Sequence, residues 1–436
     1  MYHFKNKLYV AVVCCLLFSL PARSQYLMDM VDTTKTMGQD MLSLLKRFDY
    51  IRFSGYVQPQ FQYIETKGAK SFNGGDFSTF SDNRFMLRRS RIRLDYARFT
   101  DKNMPKMQFA FQFDATERGV FARDVWGRIF DTKYNCFSLT TGLFARPFGY
   151  ELNLSSRDRE SPERGRMSQT LMRTERDLGV MASFQPRAKD HKLKNLQVDL
   201  GIFNGQGLTA TTDFDSYKDI IGRVQWKNTP LSKGVHSDSK NAILNVGASF
   251  LSGGVRKNSG YLNEMSNGIF RIDSSKSDIG GRAPRLYYGV DAQLKIKNPI
   301  GTTEFRAEYW RGTQPSTATA NETPVAIDNS SLYLRSFDGA YFYFLQGFGK
   351  KHQILVKYDW FDPNTVVKAA DLKKGANLSA ADIRYNTLGL GYIYYANENV
   401  KFVFYYENVK NESTGLDNFT QDVKDNNFTC RVQYRF

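Results

Sequence analysis

Arg89, Arg91 and Arg93 recur at every second position of FMLRRSRIRLDYARF and are followed on the same spacing by Asp95. On an extended chain these four side chains share one face, and Ile92, Leu94 and Tyr96 occupy the other. Neighbouring guanidiniums then stand about 7 Å apart, close enough to repel unless an anion or an acidic side chain lies beside them. Arginine suits oxyanions because its planar fork of donors matches the oxygens of phosphate or carboxylate. A second concentration is the stretch 146–177, RPFGYELNLSSRDRESPERGRMSQTLMRTERD, with seven arginines, six acids and no lysine. A connection this long without structure of its own is usually either functional or disordered. The expectation is that it folds inward and that the remaining chain forms a wall around it; the alternative is a solvated mixed-charge loop outside.

The arginine file supports two readings. One is an interior ladder of ion pairs that braces the wall, with Asp114 and the acids of 146–177 as partners. The other is a stair of positive charge that hands anions through a pore. Arg88 has the opposite parity, so it is expected to point outward and snorkel near a strand end. By the same parity Arg223, Lys227, Lys295, Lys297, Lys357 and Arg431 face inward.

Enzyme chemistry finds little support. His191, His236 and His352 all fall in or beside predicted short turns, away from any serine or acid pair that would need them. No cysteine–histidine spacing suggests zinc, and no glycine-rich loop precedes a helix to cradle a phosphate. The reading is of a protein that is not an enzyme and takes no cofactor or metal.

The wall itself is written as alternation. Hydrophobic residues are 41% and mean hydropathy is −0.48, and past the N-terminus no run approaches the eighteen apolar residues of a membrane helix. A β-barrel escapes that test, since its lipid face uses only every second residue. Phe (34) and Tyr (25) are abundant and Pro (12) scarce, which suits long strands with aromatic girdles. In NFTCRVQYRF, Phe428, Cys430, Val432, Tyr434 and Phe436 oppose Thr429, Arg431, Gln433 and Arg435. Phe109, Phe111 and Phe113 alternate with Gln108, Gln112 and Asp114, and the pattern recurs at 285–296, 301–310 and 352–361. So many charges opposite aromatics require water on one side.

About sixteen such segments can be placed: 53–63, 85–98, 106–116, 120–130, 136–144, 178–185, 196–203, 219–227, 241–251, 285–296, 301–310, 338–345, 352–361, 383–395, 400–409 and 427–436. Connections after even-numbered segments are mostly short (TDKNMP, TKYN, KNPIG, QGFGKK, NENV), and those after odd-numbered ones mostly long. Short turns at one end and long loops at the other mark a transmembrane antiparallel β-barrel, so the fold class expected is all-β. Segments three and four, joined by only a few residues, are the exception.

Residues 1–24 read as a secretory signal: Lys5 and Lys7, then LYVAVVCCLLFSL, then Pro21 and Ala22-Arg23-Ser24. Cys14 and Cys15 suggest lipidation, but apolar residues continue past them. Cleavage removes Lys5, Lys7 and Arg23 and lowers the formal charge from +16 by three to +13. The export signal and barrel pattern weigh against nucleic acid as the partner of this basic chain. Only Cys136 and Cys430 then remain, so no disulfide framework is expected. Residues 25–50 carry Met37, Met41, Leu44, Leu45 and Phe48 at helical spacing, which predicts a short helix or linker before a barrel of 51–436.

Three consecutive stretches resemble the phosphate-selective porins O and P. They are LRRSRIRLDY (87–96), MQFAFQFDAT (107–116) and GLFARPFGYELNLSS…SPER…ERDLGV (142–180). The resemblance runs over about residues 50–250. It implies a sixteen-stranded homotrimeric outer-membrane barrel whose third outer loop folds into the lumen beside an arginine ladder. Arg89, Arg91 and Arg93 resemble that ladder, and Arg146, Arg157, Arg159, Arg164 and Arg166 are candidates for the constriction loop. The loop departs from a strictly basic filter because its acids nearly balance its arginines, so a broad preference for small anions is easier to defend than strict phosphate selectivity. The competing function is a surface receptor, adhesin or assembly platform, and the position of 146–177 separates the two.

Overall fold

The computed structural model describes residues 51–100, 104–188, 190–209, 212–230, 242–259, 261–266, 268–273, 279–324 and 331–436. The expected signal segment, the helix of 25–50 and His236 lie outside them, as does part of the turn TDKNMP. The described residues form one eighteen-stranded sheet. In chain order its strands are β1 Ile51–Ile64, β2 Asn83–Phe99, β3 Pro105–Thr116, β4 Gly119–Phe130, β5 Phe137–Ala145 and β6 Arg176–Phe184. Next come β7 Leu196–Phe203, β8 Asp219–Pro230, β9 Ala242–Arg256, β10 Leu262–Ser266, β11 Ile269–Asp273 and β12 Arg282–Asn298. The last six are β13 Gly301–Ser316, β14 Leu332–Phe348, β15 His352–Asp362, β16 Tyr385–Tyr395, β17 Val400–Asn411 and β18 Asn427–Arg435.

Sixteen of these close an antiparallel barrel, and each coincides with an expected segment. The ring shuts where β1 lies beside β18, with Gln60 opposite Arg431 and Gly55 and Phe436 exchanging backbone bonds of 3.0 and 3.1 Å. Segments three and four are a true hairpin, β3–β4, turning at Glu117 and Arg118. The hairpin β10–β11 is an addition. It rises from the long connection after β9, and β10 runs parallel to the far end of β14, with Leu262 opposite Leu332. A strand of five residues that pairs with a segment distant in sequence leaves little local signal.

Burial is inverted relative to a water-soluble protein. On β18 Thr429, Arg431 and Gln433 are buried while Phe428 and Tyr434 are exposed; on β12 Asp291 and Gln293 are buried while Tyr288 and Val290 are exposed. Phe109, Phe111 and Phe113 also stand on the outside of β3. Leaving each of these side chains in water would forfeit ~2 kcal/mol, and a continuous belt of them needs a hydrocarbon surround.

The inner face is not uniform around the ring. From β2 to β8 it carries charged and amide side chains, among them Arg91, Gln112, Asp124, Asp199 and Arg223. From β12 to β17 it also carries a dry filling. One cluster joins Tyr287, Trp310, Phe337 and Phe361 to Phe148, Leu152, Met167 and Leu171 of the segment between β5 and β6, and continues onto Phe144, Met181, Phe203, Ile221 and Leu251 of β5 to β9. A second joins Tyr341, Tyr343, Leu345, Leu355, Ile393, Val403 and Tyr405.

Candidate functional site

The segment between β5 and β6 begins by docking on the dry side. Phe148 is fully buried, with its ring 4.7 Å from that of Trp310 in an edge-to-face contact. The next residue, Gly149, has φ +61°, and a Cβ there would collide with the Glu308 carboxylate at 1.9 Å. Only glycine lets the backbone approach this closely. Glu308 in turn accepts hydrogen bonds from the backbone N–H of Tyr150 (3.1 Å) and Glu151 (2.9 Å), from Trp310 Nε1 (2.6 Å) and from the Tyr341 hydroxyl (2.7 Å). A buried carboxylate with four donors fixes the direction of the loop.

Further on, Glu151 organises a one-and-a-half-turn helix, α1 Arg166–Leu171. Its carboxylate accepts from the Gly165 N–H (2.9 Å) and the Ser168 hydroxyl (2.7 Å), satisfying donors at the helix start. Met167 then packs over Gly339 of β14, where a Cβ would lie 2.8 Å from its sulfur.

Across the lumen face the contacts are charged. Glu163 gathers three guanidiniums. Arg89 grips it through both nitrogens (2.6 and 3.0 Å), Arg88 lies at 2.8 Å, and Arg431 of β18 at 3.1 Å. Burial opposes ionisation of Glu163, but Arg88, Arg89 and Arg431 outweigh it and hold the carboxyl well below the usual range. Glu175 repeats the arrangement: Arg123 bonds it directly, with Arg164 at 3.5 Å and Arg176 at 3.6 Å. Burial is again overcome, here by Arg123, Arg164 and Arg176, and its carboxyl too lies well below the usual range.

The remaining arginines of the file are paired as well. Arg91 bonds Asp114 (2.9 Å) and Ser156 (2.8 Å), and Arg93 bonds Asp95 (2.7 Å) and Asp124 (3.2 Å). In all, eight guanidiniums (Arg88, Arg89, Arg91, Arg93, Arg123, Arg164, Arg176, Arg431) meet five carboxylates (Asp95, Asp114, Asp124, Glu163, Glu175). Other bonds tie the segment around the ring: Ser156 to Tyr56 of β1, Glu160 to Arg306 of β13, Ser161 to Tyr343 of β14, and Lys401 of β17 to the Arg157 and Arg159 carbonyls.

Among the loop candidates, Arg146 donates to the Thr174 carbonyl and Arg159 to that of Leu154. Arg164 donates to the carbonyls of Ser168, Met172 and Arg173. Arg166 is sandwiched between the rings of Phe72 and Tyr385, at 4.3 and 3.7 Å. Arg157 pairs with Asp158 and lines a cavity of about 360 Å³ beside the short turns, with Lys350, Lys351, Lys401 and Arg435. Arg93 alone of the β2 file lines the larger cavity, of about 370 Å³, bounded by β4 to β8. Its charged lining is Arg93, Arg128, Arg176, Arg187, Arg223 and Lys227 against Asp124 and Asp199.

Arg88 corrects the expectation of an outward, snorkelling side chain. Arg84 bonds Gln62 and Met86 receives Gln60, so even-numbered residues face in up to Arg88, after which Arg89 and Arg91 are buried and Ile92 is exposed. Alternation slips by one between Arg88 and Arg89, and both reach Glu163. Arg123 arrives in the same way: the β3–β4 register jumps from Gln112 opposite Asp124 to Phe113 opposite Ala122. Such a bulge turns two consecutive side chains to one face. Lys357 pairs with Asp359, and Arg223 with Asp291.

His191 lies in the short connection after β6, its ring nitrogen 4.0 Å from the Cys136 sulfur, and His352 stacks on Tyr392. Among the described residues no group of histidine, cysteine and acidic side chains is placed to hold a metal.

No protein-family profile and no curated protein matches the chain. Solved structures do. An anion-selective porin from Comamonas acidovorans is 11% identical, with a TM-score of 0.53 over 88% of this chain and 99% of that one. OmpT, an outer membrane protein of Vibrio cholerae in its trimer form, is 12% identical (TM-score 0.49, 88% and 99% covered). A mutant of the Rh. blastica porin is 13% identical (TM-score 0.47, 88% and 100% covered). The chain has the fold of a bacterial outer-membrane porin.

Proposed function

We propose that this chain is an outer-membrane porin through which small anions diffuse passively, phosphate-like oxyanions being favoured. It would belong with the phosphate-selective porins O and P, act as a homotrimer, and carry residues 146–177 as its constriction. The observation that carries the reading is the excess of guanidiniums over carboxylates, eight to five, where that segment meets β1–β4 and β18. A fixed positive surplus beside a narrow wet passage raises the local concentration of anions. Within it Arg89 and Arg91 hold the constriction while Arg93 faces the passage; Arg157 adds charge near the short turns, and Arg146, Arg159, Arg164 and Arg166 shape the segment. The bonds from 146–177 to inner-face side chains favour this reading over a display platform, which would need the segment free at the surface.

The test is the reversal potential of the purified protein in a planar bilayer across a potassium chloride gradient, followed by phosphate. Anion selectivity with chloride current reduced by phosphate is expected, and Arg93→Gln should weaken both. A cation-selective or unselective pore would sink the proposal.

A further inference from the structure

Of the positive side chains of the larger cavity, Arg128 and Lys227 have no carboxylate partner among the described residues. Arg128 of β4 donates from Nε to the Thr140 hydroxyl (2.7 Å) and Lys227 of β8 to the Gln197 amide oxygen (2.5 Å), both neutral partners. Asp199, on the same lining, accepts from Gln197 at 2.7 Å. Between Arg93 and Arg128 the wall presents an indole: Trp126 has their guanidinium carbons 5.8 and 5.1 Å from its ring centroid. Trp126 packs against the Phe148 cluster and lines the cavity together with Arg93 and Arg128, so the ring is held in place. The volume, about 370 Å³, falls in the range of about 300–1,000 Å³ usual for small organic ligands.

We infer that this cavity is a subsite for organic oxyanions that carry a flat apolar body, the head group taken by Arg128 and Lys227 and the body laid against Trp126. The inference rests on the anion-porin reading and narrows its solute class. An inorganic oxyanion would use the donors and leave the indole idle, whereas an aryl phosphate would use both.

Inorganic phosphate and phenyl phosphate share a head group and differ in the ring, so block of the chloride current by each separates the two contributions. For the wild type, half-block by phenyl phosphate is expected at a roughly five-fold lower concentration, the gain of one stacked ring. Trp126→Leu should abolish that difference and leave phosphate block in place, Trp126→Phe should retain it, and Arg128→Gln should weaken block by both. Equal block of the wild type by the two compounds, or a preference that survives Trp126→Leu, overturns the subsite while leaving an anion porin. A wild type without anion selectivity overturns both readings.

Discussion

The two sides of the barrel interior differ in what their inner faces carry. From β12 to β17, Trp310, Tyr287, Leu345 and Ile393 are fully buried and either receive the loop's apolar residues or pack on one another. From β2 to β8, Phe144, Met181, Phe203 and Ile221 join the same cluster as Trp310, but paired arginines and acids share the face with them and a cavity remains beside Arg93 and Arg176. A loop docked symmetrically would either block the lumen or hang in it. Docked through Phe148 and Met167 on one side and tethered by Glu163 on the other, it leaves the cavity beside β4 to β8 unfilled. The dry side sets position and the wet side sets charge.

Cutting the tether should have the largest effect. In Glu163→Gln three guanidiniums lose their carboxylate in a buried place, which costs about 3–5 kcal/mol. A marked fall in the thermal unfolding temperature in detergent is expected, with noisier single-channel currents as the segment swings. An unchanged melting temperature would show that the three contacts do not hold the loop.

Phe148→Ala attacks the other side. Emptying the slot against Trp310 should cost about 3–4 kcal/mol. The ratio of anion to cation permeability should nevertheless stay as in the wild type, because no charge moves. A changed ratio would place the dry side in the ion path.

Acidity probes the tether without mutation. Glu163 and Glu175 titrate below the ordinary glutamate value of about 4.3. The stability they contribute is therefore fully present above that value and is lost as pH falls through their folded-state values. The two tethers should therefore leave conductance unchanged from about pH 8 to 5 and alter it only in more acid solution. A transition near neutrality would point to other groups.

Much of this was legible in the sequence because a barrel strand repeats one rule. Polar side chains at every second residue, as in Thr429, Arg431 and Gln433, located the strands and the inner face. The rule fails where register slips. Arg88 and Arg123 reach the two glutamate hubs through a one-residue slip in β2 and a bulge in β4, and strict parity gives no sign of either. The dry filling did leave a trace: in AYFYFLQGF of β14 both faces are apolar, Tyr341, Tyr343 and Leu345 against Phe342 and Phe344. A wall between lipid and water has no use for that second apolar face, so it announces a packed interior. Glu308 as an anchor was less accessible, since the loop N–H groups it holds, of Tyr150 and Glu151, lie more than a hundred positions away.

The smallest change should be the most selective. Arg128 lies on the wet side, bonded to Thr140 and free of any carboxylate tether to the loop. Arg128→Gln should alter stability by only about 1 kcal/mol, the worth of one hydrogen bond, yet lower the anion-to-cation permeability ratio roughly two-fold as one fixed charge leaves the cavity. Arg89→Gln is the control with the opposite profile, because it abandons half of a bidentate clasp on Glu163 and should show mainly as lost stability. If both variants moved the reversal potential equally, charge would act on the ion regardless of its pairing. A division between tethering and conducting arginines requires that they separate.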